Sequence, residues 1–207
     1  MKILRFNDYK KSQEERLKLF AKLSKGIVLD IGYAQNPNIY FDKELNVEHV
    51  IGVDIQINKL LPKKYNSTNK LDLNYEKIPY PERYFDTVVC GEVIEHLECP
   101  IKLIHEINRV LKNDGILILS TPSSIYYLEI LSDMIGLELE KEHLYTFNRR
   151  KLAKILNEHG FHNLKILSYS FWIPFIKLGI ISFKLPEIFS WIQIYICEKN
   201  NRIYEKE

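Results

Sequence analysis

Residues 26–54, GIVLDIGYAQNPNIYFDKELNVEHVIGVD, decide the fold. Gly26–Gly32 is a β-branched run that closes on a glycine, the composition of a strand buried on both faces of a parallel sheet. His49–Asp54, HVIGVD, repeats the pattern and again ends in an acid. Gly32 permits a tight turn in which backbone approaches a ligand, and Asp30 sets a carboxylate at the same edge. Asp54 can accept hydrogen bonds from both hydroxyls of a ribose. Two acids at neighbouring strand ends around a glycine turn suit a nucleoside without a long phosphate chain. A dinucleotide would call for a GxGxxG turn and a helix amino terminus against its pyrophosphate, and GYAQNP lacks that spacing.

Outward from this core, strands and helices alternate. Residues 11–24 read as a helix with Leu17, Phe20 and Leu23 on one face, charges filling the rest, and Gly26 beyond its end. A short strand is expected around Leu71–Leu73, and another at Phe85–Cys90, FDTVVC. Pro100–Leu111 follows as a helix with Ile101, Ile104, Ile107 and Leu111 as its buried stripe. Asn113-Asp114-Gly115 breaks it before the strand GILILST. A helix near Asn148–His159 and strands at Asn163–Tyr169 and Trp191–Cys197 complete the order. This predicts an α/β fold, a Rossmann-like doubly wound sheet of about seven mostly parallel strands with helices on both faces. Residues 1–25 form an amino-terminal helical segment, and 26–207 one domain with an apolar insertion near 170–187. In such sheets ligands lie outside the strand carboxyl ends, here just after Asp30, Asp54, Leu71, Cys90 and Thr121.

The 207 residues, 46% hydrophobic and 27% charged, suffice for one globular core. Twenty-nine basic against 27 acidic residues leave a net charge of +2, which argues against a nucleic-acid backbone as the main partner. Cys90, Cys99 and Cys197 lack CxxC spacing and are odd in number, so a reducing compartment is expected. No His, Asp or Glu cluster shows metal-ligand spacing. The amino terminus lacks the pattern of a secretion signal. Phe171–Phe183, FWIPFIKLGIISF, falls short of the about 20 apolar residues of a bilayer crossing and is broken by Pro174 and Lys177. A cytoplasmic location without a transmembrane segment is the expectation. That apolar stretch reads as a helix packed on the sheet or a homodimer contact. It also reads as a lid or an interfacial patch, making peripheral membrane contact.

Taken together, these residues resemble the class I S-adenosylmethionine-dependent methyltransferases, particularly the small single-domain group known as methyltransferase type 11. VLDIGYAQN is similar to the first half of the family's Asp-x-Gly-x-Gly-x-Gly motif, and Asp54 in VIGVDI to its second, acidic motif. Residues 71–122 resemble the family's succession of an acid near the adenine, Pro-x-Pro, Phe-Asp before strand four, Glu-His after it, and Arg-Val-Leu-Lys before strand five. EHLYTFNRRKLAKILNEHGF resembles the segment after strand five, so the likeness runs from Gly26 to about Leu167. Ala34 and Asn36 stand where the family carries its second and third glycines. A loop at negative φ tolerates the alanine methyl, and asparagine accepts left-handed conformations better than most residues.

The resemblance implies S-adenosylmethionine as cofactor. Asp30 and Gly32 would lie beside the methionine part, Asp54 at the ribose, Ile55 on the adenine ring, and Asp72 with the Leu73 backbone at the adenine edge. Cys90 and Gly91 would line the floor under the sulfonium. Tyr33 would roof the methionine or acceptor site, and His143 and Tyr145 would face the acceptor. Transfer from a sulfonium needs alignment and exclusion of water, plus removal of a proton where the acceptor carries one. His96 is the first candidate base, because imidazole ordinarily titrates near neutrality, with Glu95 and Glu92 beside it. Each has a structural counterpart: a hydrogen bond to a loop for His96, a small buried residue for Cys90, loop packing for His143 and Tyr145.

The leading reading is a methyltransferase acting on a small-molecule or glycan-like acceptor. A non-catalytic S-adenosylmethionine-binding module is the alternative, motivated by the replaced glycines. A nicotinamide-dependent oxidoreductase on the same fold comes third.

Overall fold

The computed structural model describes residues 6–122, 144–171 and 190–200, with side chains placed for 13–122, 144–167 and 192–200. In chain order the elements are α1 (Phe6–Leu23), β1 (Gly26–Ile31), β2 (Val47–Asp54), β3 (Tyr65–Lys70), β4 (Phe85–Gly91), α2 (Pro100–Val110), β5 (Leu111–Pro122), α3 (Arg149–Glu158), β6 (Phe161–Phe171) and β7 (Ser190–Lys199). Short 3₁₀ turns occupy Ile39–Lys43 and Ile94–His96. The seven strands form one sheet in the order β3-β2-β1-β4-β5-β7-β6. β1 pairs in parallel with β2 and β4, β2 with β3, and β4 with β5, whereas β7 runs antiparallel to both β5 and β6. The strand order reverses between β1 and β4, which opens a crevice at their carboxyl ends.

The central strands are apolar on both sides because each side has its own core, as their sequences require. Leu29, Ile31, Val88, Cys90, Leu117 and Leu119 pack in one hydrophobic cluster with Leu103 and Ile104 of α2 and Leu152 and Leu156 of α3. Val28, Val89 and Ile118, one residue out of step, pack in the other with Phe20 and Ala21 of α1. This is the period of two expected of strands sandwiched between layers. The α2 stripe is Leu103, Ile104, Ile107 and Val110, and Ile101 is exposed. Lys199 of β7 caps α2 by donating to the carbonyls of Asn108 at 2.6 Å and Leu111 at 2.9 Å.

Three elements depart from the sequence expectation. The third strand is Tyr65–Lys70, ahead of Leu71–Leu73, and YNSTNK carries no hydrophobic alternation because it is an edge strand with one open flank. α1 begins five residues earlier than the expected 11, at Phe6. The break at Asn113-Asp114-Gly115 is a bulge inside β5: pairing shifts between Phe85↔Leu111 and Thr87↔Ile116, and Asp114 sits at φ 58°. The 171–183 stretch lies, beyond Phe171, outside the described residues. Among the described residues, no helix is long and apolar enough to cross a membrane.

The loop from β3 to β4 is anchored by a guanidinium fork. Arg109 donates to the carbonyls of Tyr80 at 2.8 Å and Ile78 at 2.9 Å, while Glu106 accepts from the Ile78 N–H at 2.9 Å and from Arg109 at 2.6 Å. Arg109→Met removes the fork and strands Glu106. It is expected to destabilise the fold by about 2 kcal/mol, a fall in Tm of about 4–8 °C by calorimetry for a chain of this size.

Candidate functional site

A cavity of about 950 Å³ opens at the carboxyl ends of β1, β2 and β4, where the topology reverses. Its walls include Asp30, Asp54, Asp72 and Glu92, with Arg16 as the basic counterpart. Gly32 makes the turn out of β1 at φ 84°. A Cβ there would sit 2.3 Å from Val93 Cγ2 and 3.3 Å from the Gly91 carbonyl oxygen, so only glycine fits between the two loops.

Asp54 ties that turn to the end of β2. Its Oδ2 accepts from the Ala34 N–H and its Oδ1 from the Gln56 N–H, both at 2.9 Å. Each oxygen keeps a second acceptor site for a ligand hydroxyl. Ile55, next to it on the cavity wall, is 56% exposed, a large aliphatic side chain left for a flat apolar ligand to cover. Leu73 and Asp72 also line the cavity, the latter held by its own contacts: Oδ1 accepts from the Asn74 N–H at 3.0 Å.

Asp30 is buried, with its Oδ2 accepting from the Tyr65 hydroxyl. Burial pushes its carboxyl up to about 7, opposed by the Tyr65 hydrogen bond and the Arg16 guanidinium and reinforced by Asp54. In the sequence Arg16 is one of the charges that fill the rest of the first helix. In the structure it is 8% exposed, and its Nη1 lies 3.1 Å from both Ser120 Oγ and Glu92 Oε1. Ser120 also donates to Glu92 at 2.8 Å. Glu92 holds φ at 55°, a left-handed conformation that non-glycine residues adopt at a cost, where β4 turns into the cavity.

Several expected site residues are placed differently from the sequence reading. The Cys90 thiol points into the core on the α2 side and adds nothing to the cavity wall; Gly91, one step along the strand, does line it. Strand alternation is the reason. In the 3₁₀ turn after β4, Ile94 and Glu95 face inward and His96 faces the cavity. Glu95 is 1% exposed and lies behind the wall, where Oε2 accepts from Thr121 at 3.1 Å and Oε1 has no partner among the described residues. Burial, reinforced by Glu92, pushes its carboxyl up to about 8, so it holds its proton at neutrality. Tyr33 lines the cavity, with its ring buried rather than left open as a roof. It is 1% exposed and lies so close over Gly52 that a Cβ there would approach it to 2.7 Å. Tyr145 is outside the cavity wall, its hydroxyl donating to the Glu98 carbonyl at 2.9 Å. His143 lies outside the described residues. Gln13 lines the cavity unanticipated, since nothing in its spacing marks it, and Asn36, in the place of the family's third glycine, lines it too.

These features fit a cationic nucleoside. Several carboxylates face one cavity, an aliphatic side chain awaits a flat ring, and the Gly32 turn allows backbone approach in place of a phosphate cradle.

The family model of the methyltransferase domain matches residues 4–166. An uncharacterised protein of Methanocaldococcus jannaschii is 27% identical over 159 residues, covering 75% of this chain and 73% of that protein. A Mycobacterium tuberculosis protein named "probable S-adenosylmethionine-dependent methyltransferase" is 30% identical over 98 residues, covering 47% of this chain and only 34% of its own length. The fold is shared with the crystal structure of an S-adenosylmethionine-dependent methyltransferase from Archaeoglobus fulgidus, at a TM-score of 0.69 and 22% identity over 93% of this chain and 94% of that one. With the family model spanning strands β1 to β5, the glycine turn and both strand-end acids, this chain belongs to the methyltransferase-domain family and is an S-adenosylmethionine-dependent methyltransferase.

Proposed function

We propose that the chain methylates a small-molecule or glycan-like acceptor, with His96 as the group that receives the acceptor's proton. The observation that carries this reading is one cavity of about 950 Å³ bounded by the strand-end acids and by His96. That size is at the upper end of small-molecule pockets, about 300–1,000 Å³, which leaves room for a low-mass acceptor beside the cofactor. When bound, S-adenosylmethionine supplies a methyl group on a positively charged sulfur. The residues that would hold it are Asp54 at the ribose hydroxyls, Ile55 and Leu73 against the adenine, Asp72 at its edge, and Asp30 with the Gly32 and Gly91 backbone beside the methionine part. The chain's own work is then to align the acceptor, exclude water and take a proton onto the His96 imidazole. Positioning of this kind can supply roughly 7–11 kcal/mol. Glu95, protonated behind the wall, serves as a neutral neighbour to Thr121 rather than as the base.

Calorimetry with S-adenosylhomocysteine tests the first half of the reading. Incubation with methyl-tritiated S-adenosylmethionine and fractionated host extract tests the second. Label is expected in the low-mass or glycan fraction; label confined to protein or nucleic acid overturns the acceptor class. Tight binding with no label in any fraction would favour a binding module instead. His96→Ala is expected to lower kcat by about 10²–10⁴-fold with the S-adenosylhomocysteine Kd unchanged.

A further inference from the structure

Behind the cavity floor runs a buried chain of hydrogen bonds that starts on the edge strand. Tyr65, at the start of β3, is 7% exposed and donates its hydroxyl to Asp30 Oδ2. The same hydroxyl accepts from the Asn38 N–H at 3.0 Å. Asn38, 1% exposed, sends its Nδ2 to the Leu17 carbonyl of α1 at 2.9 Å, one residue from Arg16. The Tyr65 ring is wedged between Tyr33, with ring centroids 5.8 Å apart, and Phe41, at 6.2 Å. A phenol so held has one proton to give and one direction in which to give it.

We propose that Tyr65 is a positioning residue for methyl transfer: its hydroxyl orients the Asp30 carboxylate toward the cavity, and Asn38 locks that pair to the helix carrying Arg16. Asp30 is placed beside the cationic methionine end by the function proposed above, and the inference rests on that placement. A rotating or protonated Asp30 would lose its attraction for the ligand's ammonium, so the Tyr65 bond acts on cofactor affinity without touching the cofactor.

The groups facing Asp30 fix the sign. Arg16 of α1 and the Tyr65 hydroxyl of β3 favour its charged form. Asp54 of β2 opposes it. Glu92, paired with Arg16, is the remaining charge on β4 at this edge. Burial has already brought the Asp30 carboxyl to about 7, so losing the Tyr65 donor moves its ionisation to higher pH.

The test measures the S-adenosylhomocysteine Kd from pH 6 to 8.5 by calorimetry. Wild type should weaken as pH falls through about 7. In Tyr65→Phe the inflection should move up by about one unit, so binding at pH 7.5 weakens about threefold and recovers toward wild type at pH 8.5. Difluorotyrosine at position 65, a stronger donor in the same shape, should move the inflection down; it keeps the question answerable should the phenylalanine variant fail to fold. Asp30→Asn should flatten the profile, and Tyr65→Phe added to it should change nothing further. A uniform loss across pH, or no shift with either tyrosine analogue, overturns the positioning role. An Asp30→Asn variant that binds as wild type would instead show that the ligand is misplaced, a distinct failure.

Discussion

Asp54→Ala is expected to weaken S-adenosylhomocysteine binding about 100-fold. The carboxylate does two things at once. It receives the N–H groups of Ala34 and Gln56, fixing the turns after β1 and β2, and in the function proposed above it would offer its remaining lone pairs to the ribose. Hydrogen bonds to a charged group contribute about 1.5–3 kcal/mol each. Loss of two to the ligand is worth about 3 kcal/mol or more, hence the two decades. Asp54→Asn retains one acceptor oxygen, turns a donor toward a backbone N–H, and should fall between, about tenfold weaker. Calorimetric titration gives all three constants. An unaltered Kd in the alanine variant would falsify the placement of the nucleoside at β2.

Gly32→Ala should act more severely, because two penalties coincide. Its φ of 84° strains any side-chain-bearing residue, by about 1–3 kcal/mol, and its Cβ would collide with Val93 Cγ2 at 2.3 Å. The turn after β1 and the turn after β4 cannot both keep their positions. Binding should drop below detection, and Tm should fall by about 5–10 °C, since folded proteins hold only about 5–15 kcal/mol in reserve. Adding Val93→Ala relieves the collision but not the backbone strain. The double variant should regain part of the stability and little of the binding. Equal recovery of both would mean that contact with Val93, and not the conformation of the turn, is what excludes a side chain.

Both predictions concern residues legible in the sequence. Asp54 and Gly32 stand at the ends of β-branched runs, and a parallel strand buried on both faces can only present its chemistry at its ends. The same logic correctly located Gly91 and Ile55 on the cavity. It failed at β3, where YNSTNK gives no hydrophobic period because an edge strand has little core to face. It failed again at Glu95 and Cys90. Which member of a run of neighbours faces a cavity depends on the twist of a 3₁₀ turn or the phase of a strand, and both Glu95 and Cys90 fell on the buried side.

Sequence alone therefore determined the order of strands and helices, the strand-end acids and the glycine turn, since these follow from local hydrophobic pattern and backbone sterics. Tertiary packing decided the rest. Arg16 on a charged-looking helix came to rest against Glu92 and Ser120, and Tyr65 on a polar strand reached Asp30. Such contacts join residues far apart along the chain. Their geometry is fixed by how layers stack and by the need to pair every buried charge, which no local pattern encodes.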